Sequence, residues 1–379
     1  MKETADIMFS LIRYELTGDA PKLPSEDVLD NLYRLSKSHD LAHLIGSALE
    51  KNHCKLPPEL SKKFNDQQFM AIYRYEQSRY ELERIKELFE NKKIPFIPLK
   101  GSVIRELYPD PAMRTSCDID ILIHESDLKK ALKALEEELD YSVGTRFVQD
   151  VSLTSPGGVH LELHFELIED DYFSAPAIPI LKDAWKYATP EDGLYLHNFS
   201  PDFFMFYHIA HMAKHFARGG CGIRPFMDLW LLNHTESYKN LNAELIKESG
   251  LTDFYEASCK LSEVWFSNSA HDSLTASMEK YLLGAGVYGS TENRVAVGRK
   301  KSGGKLSYIM SRIFLPYSMM KNQHPILKNL PILLPFFQIT RWFRIIFEGR
   351  FNKSIKELKL SAKSNENQEI STLMKNLGI

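Results

Sequence analysis

Two aspartates at alternate positions, Asp118 and Asp120, lie in the run DIDILI, a short way after a Lys100-Gly101-Ser102 turn. Successive side chains of a strand point to opposite faces, so the two acids share one face and Ile119, Ile121 and Ile123 take the other. Paired carboxylates repel unless a cation sits between them, and hard oxygen donors at this spacing suit Mg²⁺ or Mn²⁺. A further carboxylate comes from VHLELHFEL, where Val159, Leu161, Leu163, Phe165 and Leu167 alternate with His160, Glu162, His164 and Glu166. This is the pattern of a half-buried strand with a polar face open for chemistry, and Glu162 is its best candidate for a third ligand. An isolated DxD also fits a solvated turn; the Gly-Ser turn before it and the polar-faced strand after it favour a metal site.

These residues need a sheet to hold them. Ile94 to Pro98 reads as a short strand entering the LKG turn, Ser102 to Leu107 as a helix, and Asp118 to Ile123 as the metal strand. Ser126 to Leu139 reads as a helix with Leu128, Leu132, Leu135 and Leu139 on one face. Tyr141 to Val148 and Val151 to Thr154 are candidate strands, and a Pro156-Gly157-Gly158 turn leads into the Glu162 strand. The expected class is α+β, a small mixed sheet with helices on one side.

Helical patterns flank this core. Apolar spacing predicts helices over Ala5 to Leu16, after a Ser25 cap, and from near His39. Pro57-Pro58 then opens a long amphipathic run from Glu59 to Lys92 carrying Phe64, Phe69, Ile72, Tyr73, Tyr80, Leu82, Ile85 and Leu88. Beyond Ser200, His208, His211 and His215 fall on one helical face, and Arg224 and Asp228 follow a Gly219-Gly220 break. Three stacked histidines could hold zinc; hydrogen bonding within the helical domain, or lining a cleft wall, is the favoured reading. On that reading His211, His215, Arg224 or Asp228, with His164, would face a ligand. The expected division is 1–92 (helical), 93–190 (core), 191–298 (helical, substrate side) and 299–379 (basic helical segment and flexible tail).

In that last part, Arg299, Lys300, Lys301 and Lys305 surround a Ser302-Gly303-Gly304 hinge. Two segments follow, Ile309 to Leu315 and Leu330 to Phe347, the second interrupted by Pro331 and Pro335 and containing Arg341 and Arg344. It is too short and too charged to span a bilayer, which takes about 20 mostly apolar residues. Packing in the last domain is the favoured reading, and a weak membrane-surface or protein contact through this basic amphipathic segment is the other.

The 379 residues carry a net charge of -3, with 44% hydrophobic and 26% charged residues, which argues against long nucleic acid as a partner. Cys54, Cys117, Cys221 and Cys259 show no disulfide or zinc spacing, and MKETADIMFSLIRYEL is not a signal peptide. Free thiols in a reducing cytoplasm are expected, with Cys117 a packing residue turned away from the carboxylates.

The succession LKG, YPDPAMR, DIDILI and LELHFEL resembles the bacterial uncharacterised nucleotidyltransferase family of the polymerase-β-type superfamily, chiefly over Ile94 to Leu232. The resemblance implies a nucleotidyltransferase core in which Asp118 and Asp120 hold the metals. Glu162 would be the third carboxylate, binding or activating the attacking hydroxyl. Gly101 and Ser102 would approach the nucleotide phosphates, with Lys100 and Arg114 as partners for phosphate charge; Arg114 fits a structural ion pair equally well. The implied reaction moves an NMP from an NTP to a hydroxyl of an unidentified acceptor and releases pyrophosphate. The other readings are a non-catalytic protein binding a nucleotide or partner on the same fold, and a kinase-like phosphotransferase.

Overall fold

The alternating runs pair into a sheet, seen here in a computed structural model that describes residues 2–168, 174–239, 241–287, 289–301, 305–347 and 366–379. Helices α1 (Lys2–Thr17), α2 (Leu29–Ser38), α3 (Ala42–Lys51) and α4 (Pro58–Asn91) come first. The core follows with β1 (Phe96–Pro98), α5 (Gly101–Ile104), β2 (Asp118–Ile123), α6 (Leu128–Leu139), β3 (Ser142–Arg146), β4 (Asp150–Thr154) and β5 (His160–His164). Next are α7 (Ala177–Lys182), the hairpin β6 (Ala188–Pro190) and β7 (His197–Phe199), and then α8 (Pro201–Phe216), α9 (Arg224–His234), α10 (Glu244–Glu248), α11 (Thr252–Phe266) and α12 (Ser273–Leu283). Helices α13 (Thr291–Lys301), α14 (Lys305–Ile313), α15 (Tyr317–Gln323), α16 (Leu334–Phe347) and α17 (Glu366–Asn376) complete the described chain.

The five-stranded sheet has the order β1-β2-β5-β4-β3, with β2 and β5 parallel and the other pairs antiparallel. The β2–β5 register sets Asp120 opposite Glu162 and Ile121 opposite Leu163. Ile119, Ile121, Ile123, Leu161 and Leu163 share one core with Ile85 and Phe89 of α4 and Ala131 and Leu135 of α6. The reverse face carries the acids. The class is therefore α+β with a small mixed sheet and helical flanks, as expected.

Helix α4 starts at Pro58, where the fixed φ of proline suits a first helical turn and its missing N–H costs nothing. Its 34 residues make a rod of about 51 Å that joins two cores. Leu60 and Phe64 enter a core shared by α1–α3 and α8–α12, whereas Ile85, Leu88 and Phe89 pack against the sheet. The amphipathic run is thus only partly an inner face: Phe69, Ile72, Tyr73 and Tyr80 are exposed, because the middle of the rod bridges the two cores. In the larger core, Phe9 of α1 stacks on Trp265 of α11 at 4.6 Å, so helices far apart in the sequence share one interior.

Of the flexible tail expected beyond Leu360, residues 361–365 lie outside the described residues, and the rest is a packed helix. Leu373, Met374 and Leu377 are buried, with α17 packed against α12 and α13; its apolar stripe is short and follows a strongly polar run, which hides it. The Ser302-Gly303-Gly304 hinge and the side chains of Arg299, Lys300, Lys301 and Lys305 lie outside the described residues. No described helix is long and apolar enough to cross a membrane.

One buried ion pair ties the core to the helices after it. Arg114 donates to both carboxylate oxygens of Asp228 on α9, through Nε at 2.8 Å and Nη2 at 2.7 Å, and the Tyr108 hydroxyl donates to the same carboxylate at 2.7 Å. Replacing Asp228 by Asn leaves a buried guanidinium short of its counter-charge and is expected to cost about 3–5 kcal/mol in urea unfolding. The double variant Arg114→Met/Asp228→Leu should recover much of that loss. His39, fully buried after α2, gives a second expectation. Burial pushes its imidazole down to about 4 against the pull of the Leu283 carbonyl, so between pH 6.5 and 4 the unfolded chain binds a proton that the folded chain refuses. Stability should fall as pH drops through that window, by up to about 3 kcal/mol, and the fall should be smaller in His39→Leu on comparison of unfolding midpoints.

Candidate functional site

The Lys100 turn stands directly over the metal strand. Leu99 N–H donates to the Asp120 carbonyl at 2.9 Å, which fixes the entry to the turn on β2. Lys100 then takes φ 41°, ψ −111°, a backbone region that side chains rarely occupy and that costs on the order of 1–3 kcal/mol. That conformation reverses the chain so that the N–H groups of Ser102, Val103 and Ile104 close on Leu99 and Lys100 carbonyls. It also returns the Lys100 ammonium to Asp120, with Nζ 3.4 Å from Oδ1. Helix α5 is only four residues long and continues as a 3-10 turn, Arg105–Leu107, in place of the longer helix expected.

Gly101 is required by space. A Cβ there would lie 2.4 Å from Nη1 of Arg114, whose guanidinium is held by Asp228 and cannot swing away. The carbonyl of Gly101 accepts from Arg105 Nε at 2.9 Å. Burial opposes ionisation of Asp228, and Arg114 overrides it, holding the carboxyl below the ordinary range; Tyr108 is correspondingly pushed well up, by burial first and then by Asp228. Of the two roles open to Arg114 in the sequence, the structure supplies the ion-pair partner.

Across the strands, His164 Nε2 donates to Asp120 Oδ1 at 2.9 Å and lies 3.5 Å from Glu162 Oε2. Asp120, Glu162 and His164 form, among the described residues, the one group of three potential ligands whose atoms converge, all within 4.8 Å. Burial disfavours charge on Asp120, yet Lys100 and the His164 hydrogen bond hold its carboxyl well below the ordinary range. Burial likewise opposes protonation of His164, and its hydrogen bonds to Asp120 and Glu162 raise it to about 9. Asp118 stands outside the convergent group and goes the other way: burial and then the charge of Asp120 push it up, against a hydrogen bond from Ser116 Oγ at 2.8 Å. The Glu162 side chain is 33% exposed, against 8% for Asp120. One enclosed carboxylate beside two that solvent still reaches fits divalent cations that take oxygen ligands and keep some water.

The more distant residues sort by their partners. His211 and His215 share a hydrogen bond between their Nε2 atoms at 3.1 Å, and burial followed by the charge of Lys100 holds His211 well below its ordinary value. His211 thus lies within range of the Lys100 charge. His208 is paired instead with the Pro225 carbonyl at 3.0 Å, so the three histidines do not converge as a zinc site. Arg224 donates to Asp40 at 2.6 Å, and Thr115 donates to the same oxygen at 2.7 Å. Cys117 is exposed, contrary to the packing role expected, because it sits in the bend before β2, where strand alternation does not yet apply. Sequence reasoning does not single out Ser116, Tyr108 or Asp40. Their partners are remote or set by a bend, and only the place of Tyr108 in the YPDPAMR motif hints at a role.

Comparison with known proteins adds three findings. No curated protein matches the chain. The solution structure of the antibiotic-resistance factor ANT(2'')-Ia aligns with 51% of this chain and 91% of its own at 11% identity, with a TM-score of 0.28 that carries no argument. The profile of the family described as "Uncharacterised nucleotidyltransferase" matches residues 25–267. That span takes in the Lys100 turn, β2, β5 and the α8–α9 face, and with it the chain belongs to the uncharacterised nucleotidyltransferase family.

Proposed function

We propose that the protein is a metal-dependent nucleotidyltransferase that moves an NMP from an NTP to a hydroxyl of an acceptor. The observation that supports this most directly is the β2–β5 register, which sets Asp120 beside Glu162 with Asp118 two residues away on the same face. The acceptor hydroxyl gives up its proton, with Glu162 the candidate to receive it, as its oxygen bonds to the α-phosphorus; the bond to the bridging oxygen of the β-phosphate breaks, and pyrophosphate leaves. Asp118, Asp120 and Glu162 would hold Mg²⁺ or Mn²⁺, which when bound lowers the pKa of the attacking hydroxyl and neutralises triphosphate oxygens.

The chain's own residues orient and compensate. Lys100, Gly101 and Ser102 would meet the triphosphate, and the ammonium of Lys100 could trade Asp120 for phosphate oxygen. His164 fixes the Asp120 carboxylate by donating to it, as residues behind a ligand commonly do. Arg114 acts through Gly101 as a positioning residue. The half-buried His211 and His215 would line the acceptor or nucleotide side of the cleft.

The test is incubation of the protein with each labelled NTP, Mg²⁺ or Mn²⁺ and a cell extract, followed by identification of the labelled acceptor and of the leaving group. Pyrophosphate is expected; NDP would assign a phosphotransferase, and no metal-dependent nucleotide binding would sink the enzyme reading. Asp118→Asn should lower turnover about a hundredfold or more while the unfolding midpoint stays near that of the wild type, because burial and Asp120 already disfavour the charge it removes. Gly101→Ala should reduce kcat/KM for the NTP by roughly 10- to 100-fold by displacing the turn, with retention of wild-type kinetics counting against a phosphate role for it.

A further inference from the structure

Helix α16 turns much of its apolar surface outward. Three of its hydrogen-bonding side chains turn inward: buried Gln338 donates to the Leu315 carbonyl at 2.6 Å and accepts from the Leu315 N–H at 3.3 Å. Arg341 donates to the carbonyls of Ile313 at 3.1 Å and Arg312 at 2.9 Å, and Trp342 Nε1 donates to that of Ile313 at 2.8 Å. These bonds fasten α16 to the end of α14. The opposite face presents Phe336, Ile339, Phe343 and Phe347, at intervals of three and four residues, and Ile332 just before the helix extends the stripe. All five are exposed, Ile332 and Phe347 to 83%. A helix on the surface of a water-soluble domain shows the reverse polarity.

Charge decides what such a face fits. From Lys305 to Phe347 the sequence holds six Lys or Arg and not one Asp or Glu, although the whole chain carries a net charge of -3. Arg344, next to Phe343, flanks the apolar stripe, and Arg312 is exposed on the helix to which α16 is fastened. An apolar face rich in phenylalanine within a wholly cationic segment has the composition of a helix that lies in the headgroup region of a bilayer. A second copy of the chain would set two cationic segments against each other, and the stripe, about 17 Å long from Phe336 to Phe347, is narrow for a stable dimer. No described helix could span a bilayer, so the contact is with the surface.

We propose that α16 docks this protein on the surface of an anionic phospholipid membrane, with Phe336, Ile339, Phe343 and Phe347 entering the boundary between headgroups and acyl chains and Arg312 and Arg344 meeting lipid phosphates. This goes beyond the nucleotidyl transfer and does not depend on it. The experiment is co-sedimentation of the full chain with vesicles of phosphatidylcholine alone and of equal parts phosphatidylcholine and phosphatidylglycerol. The protein should sediment with the mixed vesicles and not with the neutral ones, and rising salt should release it. Phe336→Ser/Phe343→Ser/Phe347→Ser should weaken binding about tenfold or more, with an unchanged unfolding midpoint showing that the fold persists. Arg312→Gln/Arg344→Gln, which leaves the stripe intact, should weaken it about tenfold. Failure to bind the mixed vesicles, equal binding to both kinds, or wild-type binding by the serine variant would each overturn the proposal. So would a wild-type dimer in sedimentation velocity that the serine variant converts to monomer, which would assign the stripe to a second copy.

Discussion

Carboxylates gathered on one sheet face must be compensated, and the local structure around Asp120 is arranged by that requirement. Asp120 is nearly enclosed, so its charge has little water to stabilise it, and two cationic groups approach it instead, Lys100 from the turn and His164 from the neighbouring strand. The strained backbone at Lys100 follows from the same need, since it reverses the chain above β2 and returns the ammonium to the acid it compensates. A divalent cation would perform the same electrostatic task more completely, which is why the cluster reads as a place for one.

Behind the turn, compensation recurs at a distance. Arg114 and Asp228 come from segments far apart in the sequence, and their bidentate pair is buried, so each is stable only in the presence of the other. The pair fixes the guanidinium against Gly101, and thereby couples the shape of the turn to the seating of α9 on the core. Arg224, Asp40 and Thr115 make a comparable junction between α9 and the segment after α2. The turn is thus braced from behind by ion pairs, while Glu162, His211 and His215 stay partly exposed.

Much of the core is legible in the sequence because its signals are local. Period-two alternation in DIDILI and VHLELHFEL places Asp118, Asp120, Glu162 and His164 on one face, and the apolar spacing of residues 126–139 gives α6. Alternation fails at Cys117, which precedes the strand, and helical periodicity overstates the buried face of α4, where Phe69, Ile72, Tyr73 and Tyr80 lie on the stretch between two cores and stay exposed. The buried stripe of α17 escapes notice because a run of polar residues precedes a short apolar pattern.

By itself the sequence determined which residues could do chemistry and on which face of a strand each would lie, since backbone geometry ties side-chain direction to position along the chain. The tertiary structure decided their partners. Whether Arg114 meets phosphate or an acid depends on Asp228, more than a hundred residues away; whether His164 is a bystander or a hydrogen-bond donor depends on the parallel pairing of β5 with β2. The outward face of α16 depends in the same way on which side of the helix packs against α14. Long-range contacts of this kind follow from packing and charge compensation in three dimensions, and no local period in the sequence encodes them.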